Sequence, residues 1–186
     1  VGYGKLSSAQ ARIVAKVVKG QTVIDLGAGD LQLSHELLTL GAQAVTAVEK
    51  EELPQSILRL ADPRVKVVRA YIKDLHGQTG ASVAFLSWPA NYPILGLDAV
   101  IAKTPIVVYL GKNTDGTSCG TSRMFQRLLP REVVAYVPEF KNTLIVYGPK
   151  RIEREPYGEE LAALTSDEKW CSFEDVERAT QKSTKK

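Results

Sequence analysis

Short apolar runs alternate with amphipathic stretches along the first two thirds of this chain of 186 residues. Residues 22–26, 44–48, 65–69, 82–86 and 106–110 are each five residues long and rich in Val, Ile, Leu and Ala. Runs that short do not make helices, and largely continuous apolar character marks strands buried on both faces. Between them, 7–18, 31–40, 53–60 and 94–102 carry apolar residues at helical spacing. Ser7 or Ser8 is an N-cap for the first and Gly20 its stop, while Gly41 closes the second. Asp62-Pro63 makes a turn ahead of the third strand. Strand and helix in alternation predict an open parallel sheet covered on both faces.

The pattern then changes. After a helical stretch at 122–129, two strand-like runs at 132–137 and 143–147 are separated by only residues 138–142. A link so short cannot cross over to a parallel neighbour, so this pair is an antiparallel hairpin. The expected fold is therefore α/β, an open doubly wound sheet of seven strands, mostly parallel and ending in an antiparallel hairpin. Residues 1–148 form the expected domain. From 149 to 186 the chain turns polar, with eight basic and nine acidic side chains. Leu161, Leu164, Trp170 and Phe173 suggest a charged arm that packs back on the domain, with a helix at 172–180 capped by Ser172.

Composition narrows this picture modestly. A net charge of +3 permits a nucleic-acid partner without arguing for one. Cys119 and Cys171 lie far apart with no CxxC and no clustered His, so no metal site is expected. His35 and His76 read as surface residues. No apolar run reaches the length of a membrane span and nothing at the start resembles a signal peptide, so the expected location is the cytoplasm, without a membrane partner.

The chemistry concentrates in Thr22-Val-Ile-Asp25-Leu26-Gly27-Ala28-Gly29-Asp30 and in Glu49, twenty residues past Gly29. A strand running straight into a helix needs a sharp turn, and glycine takes the backbone angles that turn requires. Glycines also admit a ligand against bare main chain, with helix N-terminal amides directed at it. A dinucleotide fingerprint has a third glycine where this chain has Gln32. A pyrophosphate also avoids anions, yet Asp25 and Asp30 flank this turn. Carboxylates suit a ligand carrying an ammonium and a sulfonium, and Glu49 at a strand end can accept both hydroxyls of a ribose.

In these residues the chain resembles the class I S-adenosylmethionine (SAM)-dependent methyltransferases. Asp25-Leu-Gly-Ala-Gly-Asp30 is similar to their first motif and Glu49 to their second. The resemblance implies SAM as cofactor, held by Asp25, Leu26, Gly27, Ala28, Gly29, Asp30, Glu49 and Lys50, with Tyr71, Ile72, Ser87 and the N-terminal Tyr3 completing the pocket. Where many relatives place an acid for the adenine amino group, this chain has Tyr71, which either lies against the adenine or covers the sheet edge. The run Ser87-Trp88-Pro89-Ala90-Asn91-Tyr92 partly matches the [D/N/S]-P-P-[Y/F/W] motif of amino-methylating nucleic-acid enzymes. Ser87, Trp88, Pro89 and Asn91 are thus the candidate catalytic residues, although Trp88 in the core is the competing reading. The glycine- and hydroxyl-rich residues 111–121 read either as a substrate lid or as a surface connection.

The leading expectation is methyl transfer from SAM to an acceptor that the sequence does not name: nucleic acid, protein or small molecule. The alternative is a non-catalytic partner subunit that keeps the fold. A nicotinamide oxidoreductase is disfavoured by Gln32 and the terminal hairpin.

Overall fold

Seven strands form one sheet in the order β3-β2-β1-β4-β5-β7-β6 in a computed structural model that describes residues 5–77, 79–90, 94–112, 122–128, 130–139 and 142–150. The strands are β1 Thr22–Leu26, β2 Ala44–Glu49, β3 Val65–Arg69, β4 Val83–Ser87, β5 Ile106–Gly111, β6 Arg131–Pro138 and β7 Thr143–Lys150. β1 to β5 are parallel, whereas β7 runs antiparallel to both β5 and β6. The expected mixed α/β sheet with its terminal hairpin is therefore present. β7 continues to Lys150, two residues past the expected domain boundary. The arm at 151–186, with its proposed helix, lies outside the described residues.

Alternation along each strand builds two cores. Val23, Val45, Phe85, Val108 and Leu110 meet α1 (Ser8–Val18) and α2 (Gln32–Thr39) on one face. Ile24, Leu26, Val48, Leu86 and Tyr109 meet α4 (Leu97–Lys103) and α5 (Ser122–Leu128) on the other. Tyr109 and Phe125 touch edge to face there, with ring centres 5.1 Å apart.

Local chemistry fixes where α1 begins. The Ser7 hydroxyl accepts from the Gln10 amide at 3.2 Å, and the Gln10 side chain accepts from the Ser7 amide at 3.1 Å, a closed capping box. Buried Gln10 also donates to Asn142 at 2.8 Å, which ties the start of α1 to the hairpin.

Three of the expected helices start later. The helix expected at 31–40 starts at Gln32, because Leu31 adopts φ 64 in the turn that feeds it. The one expected at 53–60 shrinks to α3, Gln55–Leu58, a single turn that buries no residue. The one expected at 94–102 starts at Leu97, because Gly96 sits at φ 84 against the 3-10 turn Ile72–Leu75. A Cβ on Gly96 would lie 2.3 Å from the Lys73 Cα, so only glycine permits that approach. His35 is half-buried rather than on the surface, and His76 is exposed as expected.

Candidate functional site

The sheet order reverses between β1 and β4, which pair in parallel with each other, with β2 on the far side of β1 and β5 on the far side of β4. In open α/β sheets such a switch point opens a crevice beyond the carboxyl ends of the strands. A cavity of about 460 Å3 lies there. Its wall takes in Leu26 and Gly27 at the end of β1, Glu49 and Lys50 at the end of β2, Tyr71 and Ile72 after β3, and Ser87 to Ala90 at the end of β4. Four of the chain segments expected to meet a ligand are thus brought to one place. Tyr3, Asn91 and Tyr92 lie outside the described residues, as do residues 113–121 of the candidate lid.

The amides of the glycine turn itself bond within the protein. The Gly27 and Ala28 amides both donate to the Val48 carbonyl, at 2.9 and 3.1 Å. The Gly29 amide donates to Glu49 Oε2 at 3.0 Å. Three successive N–H groups are therefore engaged within the protein. A pyrophosphate, which needs such donors, finds none of these three available. Gly27 and Gly29 hold φ of 81 and 55, and a Cβ on either would meet nothing within 4 Å, so the turn borders open space.

Glu49 is the hub of this corner. Its Oε1 accepts from the Lys50 amide at 2.9 Å and the Glu51 amide at 3.2 Å, while Oε2 accepts from Gly29. An ionised carboxylate has about four acceptor positions, so one remains, on Oε2. One ligand hydroxyl fits as the site stands. A grip on two hydroxyls requires Glu49 to release an amide.

Asp25, Ala28, Gly29 and Asp30 stand outside the cavity wall. Asp25 points to the α2 face, as the two-residue period of β1 demands when Ile24 and Leu26 face the other way. It is fully buried; its Oδ2 accepts from the Ser34 hydroxyl at 2.7 Å and its Oδ1 has no hydrogen-bond partner. Asp30 is exposed, and from just before the N-cap Leu31 its carboxylate accepts from the Gln32 amide at 3.2 Å, one of the free amides of the first turn of α2.

Burial drives the Asp25 carboxyl up to about 6, against the Ser34 hydrogen bond that lowers it, with the Glu49 charge adding to the rise. The sign of the consequence follows. Between the ordinary carboxylate range and about pH 6 the folded chain keeps a proton that the unfolded chain releases, so stability falls as pH rises through that window and levels off above it. The wild-type unfolding free energy should drop by about 3 kcal/mol from pH 4 to 7 relative to Asp25→Asn, a shift of roughly two pH units at about 1.4 kcal/mol each. Urea unfolding of both proteins across that range checks it; parallel curves would contradict it.

Across the cavity, Ser87 ends β4 paired with Leu110, one residue later than the strand was expected to stop. Trp88 follows at φ 47, a left-handed angle uncommon for a large side chain, with its amide donating to the Leu110 carbonyl at 2.7 Å. The kink throws the chain off the sheet. Trp88 is half-buried, packs against the second core and also lines the cavity, so both of its expected environments are met at once. Pro89 is buried beside it. Sequence reasoning did not single out Ser34, Lys73, Ile94 or Leu95. The last three also line the cavity, and Gly96, a glycine inside the helical run expected at 94–102, is the signal that marks their close approach.

No family model matches the chain, and no curated protein matches it. Solved structures do. A protein of the NADB-Rossmann superfamily from Streptococcus agalactiae aligns over 95% of this chain and 98% of its own, with TM-score 0.59 and 16% identity. A 1,6-didemethyltoxoflavin-N1-methyltransferase from Burkholderia thailandensis, solved with S-adenosylhomocysteine, aligns over 75% and 78%, with TM-score 0.53 and 17% identity. The ribosomal protein L11 methylase of Lactobacillus delbrueckii subsp. bulgaricus aligns over 80% and 81%, with TM-score 0.52 and 15% identity. The chain has the class I methyltransferase fold. Within that fold, the insertion of β7 between β5 and β6 is the feature that the hairpin in the sequence announces. No helix among the described residues is long and apolar enough to cross a membrane. Among the same residues no group of three His, Cys, Asp or Glu could hold a metal ion.

Proposed function

We propose that the protein is a SAM-dependent methyltransferase. The observation that carries this reading is Glu49, whose carboxylate closes the glycine turn through Gly29 and keeps one acceptor position at the cavity wall. A turn whose amides are consumed and whose nearest side chain is a carboxylate favours a cationic, hydroxyl-bearing ligand over a phosphate. The residues fit SAM on three counts. Gly27 offers open main chain, Glu49 offers an acceptor for a ribose hydroxyl, and Val48, Ile72, Leu26 and Leu86 give apolar walls for an adenine. The cavity volume lies within the usual range for one small ligand.

When bound, SAM supplies a methyl group made electrophilic by its sulfonium, taken by an acceptor lone pair as S-adenosylhomocysteine is left. The chain's own work is then positional: to orient the acceptor in line and exclude water, which can account for most of such a rate enhancement. Ser87 and Trp88 are the residues placed for it, at the β4 end of the same cavity that holds Glu49 at the β2 end. The Ser87 hydroxyl offers a hydrogen bond to the acceptor and Trp88 a flat apolar face. Trp88→Ala should lower methyl transfer at least tenfold while leaving the cofactor bound, since an alignment effect of that size needs only about 1.4 kcal/mol. A collapsed melting curve instead would assign Trp88 to the core alone.

A tritiated-methyl transfer screen across RNA, DNA, protein and small-molecule pools tests the reading. Incorporation into one pool supports it. Tight S-adenosylhomocysteine binding with no incorporation anywhere would favour a non-catalytic partner subunit instead.

A further inference from the structure

We propose that Tyr71, Lys73 and Leu95 form a docking ledge for single-stranded nucleic acid at the mouth of the cavity. The proposal deepens the methyltransferase reading by naming its acceptor class, although the binding itself can be measured without it. Among the described residues only three large hydrophobic side chains are strongly exposed, and two of them, Tyr71 at 59% and Leu95 at 69%, sit on this mouth. Exposed apolar groups gathered at a cavity are the kind that mark a binding surface.

The two come from separate loops that Gly96 holds together. Its backbone lies so close to Lys73 and Ile72 that no side chain fits between them. Leu95 is therefore carried directly beside the Tyr71–Lys73 turn, and the ledge is one continuous surface. The Lys73 ammonium stands 5.5 Å from the centre of the Tyr71 ring, and no ion pair among the described residues engages it. Lys50 lines the same mouth, paired with Glu51 at 3.5 Å. The other charges nearby are Glu49, held by three amides, Glu52, paired with Arg69 at 3.0 Å, and the exposed Asp74.

An aromatic ring with a cation over one face and a second exposed apolar group at the same mouth is an arrangement that holds unpaired bases, stacked on the ring's other face. Every base presents a π-face to stack, and the phosphate on either side takes the cation. An acidic peptide would use Lys73 and leave Tyr71 and Leu95 idle. A double helix keeps its bases stacked on each other and could not use the ring. The ledge continues into the cavity wall that bears Ser87 and Trp88, so a strand held on it has a base within reach of the site.

Fluorescence anisotropy with labelled oligouridylate and oligothymidylate, at low and moderate salt, tests this and distinguishes RNA from DNA. The wild type should bind one or both. Tyr71→Ala should weaken binding about tenfold, the size of one lost base stack, and Leu95→Ser about threefold, the size of a lost aliphatic contact. Lys73→Gln should lower the salt slope by about one. All three side chains are exposed, so melting curves should stay near wild type. Glu49→Ala should weaken S-adenosylhomocysteine binding about 10- to 100-fold and keep the strand, which separates failure of the cofactor reading from failure of this one. No strand binding by the wild type would overturn the proposal. So would ledge variants that bind like the wild type while Arg12→Gln with Lys16→Gln, on the solvent face of α1, abolishes binding.

Discussion

Replacing Arg131 with methionine should cost on the order of 4 kcal/mol of stability, the largest loss expected from any single substitution here. Arg131 is buried at the first position of β6. Its Nη2 donates to the Ile101 carbonyl and, at 2.7 Å, to that of Thr104, while Nη1 donates to Pro105 at 2.6 Å and Gly148 at 3.1 Å. Ile101 and Thr104 belong to the last turn of α4, where carbonyls lack helical partners and the helix dipole favours a cation. Pro105 leads into β5 and Gly148 lies in β7, so a single guanidinium fastens a helix end to two strands. Methionine fills much of the volume and restores none of the four bonds. Buried carbonyls left without donors each cost about 1–3 kcal/mol, and relaxation or water entry recovers part of the sum. Arg131→Lys should recover only part, because an ammonium is a point donor without the planar fork. Urea unfolding gives both numbers. A loss below about 1 kcal/mol for Arg131→Met would show that water replaces the guanidinium.

Glu49→Ala should weaken SAM and S-adenosylhomocysteine binding by 10- to 100-fold, about 1.4–2.8 kcal/mol. The substitution deletes the acceptor proposed for a ribose hydroxyl and, at the same stroke, the acceptor of the Gly29, Lys50 and Glu51 amides. The turn loses its brace as well as its ligand contact. Glu49→Gln separates the two. Its single carbonyl oxygen can keep the Gly29 bond but lacks the charge that strengthens it, so binding should be intermediate. If Glu49→Ala binds as the wild type does, the carboxylate only braces the turn.

Much of this architecture was legible because buried parallel strands write themselves as continuous apolar runs. β1 and β3 fall where the runs fall, and the five-residue link after Val137 is too short for anything but a hairpin. Glycine and acid spacing likewise pointed to Gly27 and Glu49, which share one cavity wall. What failed to show depends on direction rather than composition. Asp25 reads as a ligand group because it flanks the turn, yet strand alternation aims it at Ser34 on the opposite face. The glycines show a sharp turn, yet not that the Val48 carbonyl takes two of its amides. Arg131 sits one residue before the run that marked its strand, and nothing in sequence distinguishes it from a solvated arginine. Leu31, Trp88 and Gly96 each hold positive φ at an element boundary, which is why helix starts and the end of β4 shifted by a few residues.

The central claim is that the corner formed by the glycine turn and Glu49 is a SAM site and not a dinucleotide site. Calorimetric titration of the full chain with S-adenosylhomocysteine, and separately with NAD, tests it most directly. The account predicts one S-adenosylhomocysteine per chain, weakened by Glu49→Ala, and no heat of binding for NAD. NAD binding in its place, with S-adenosylhomocysteine silent, would contradict it.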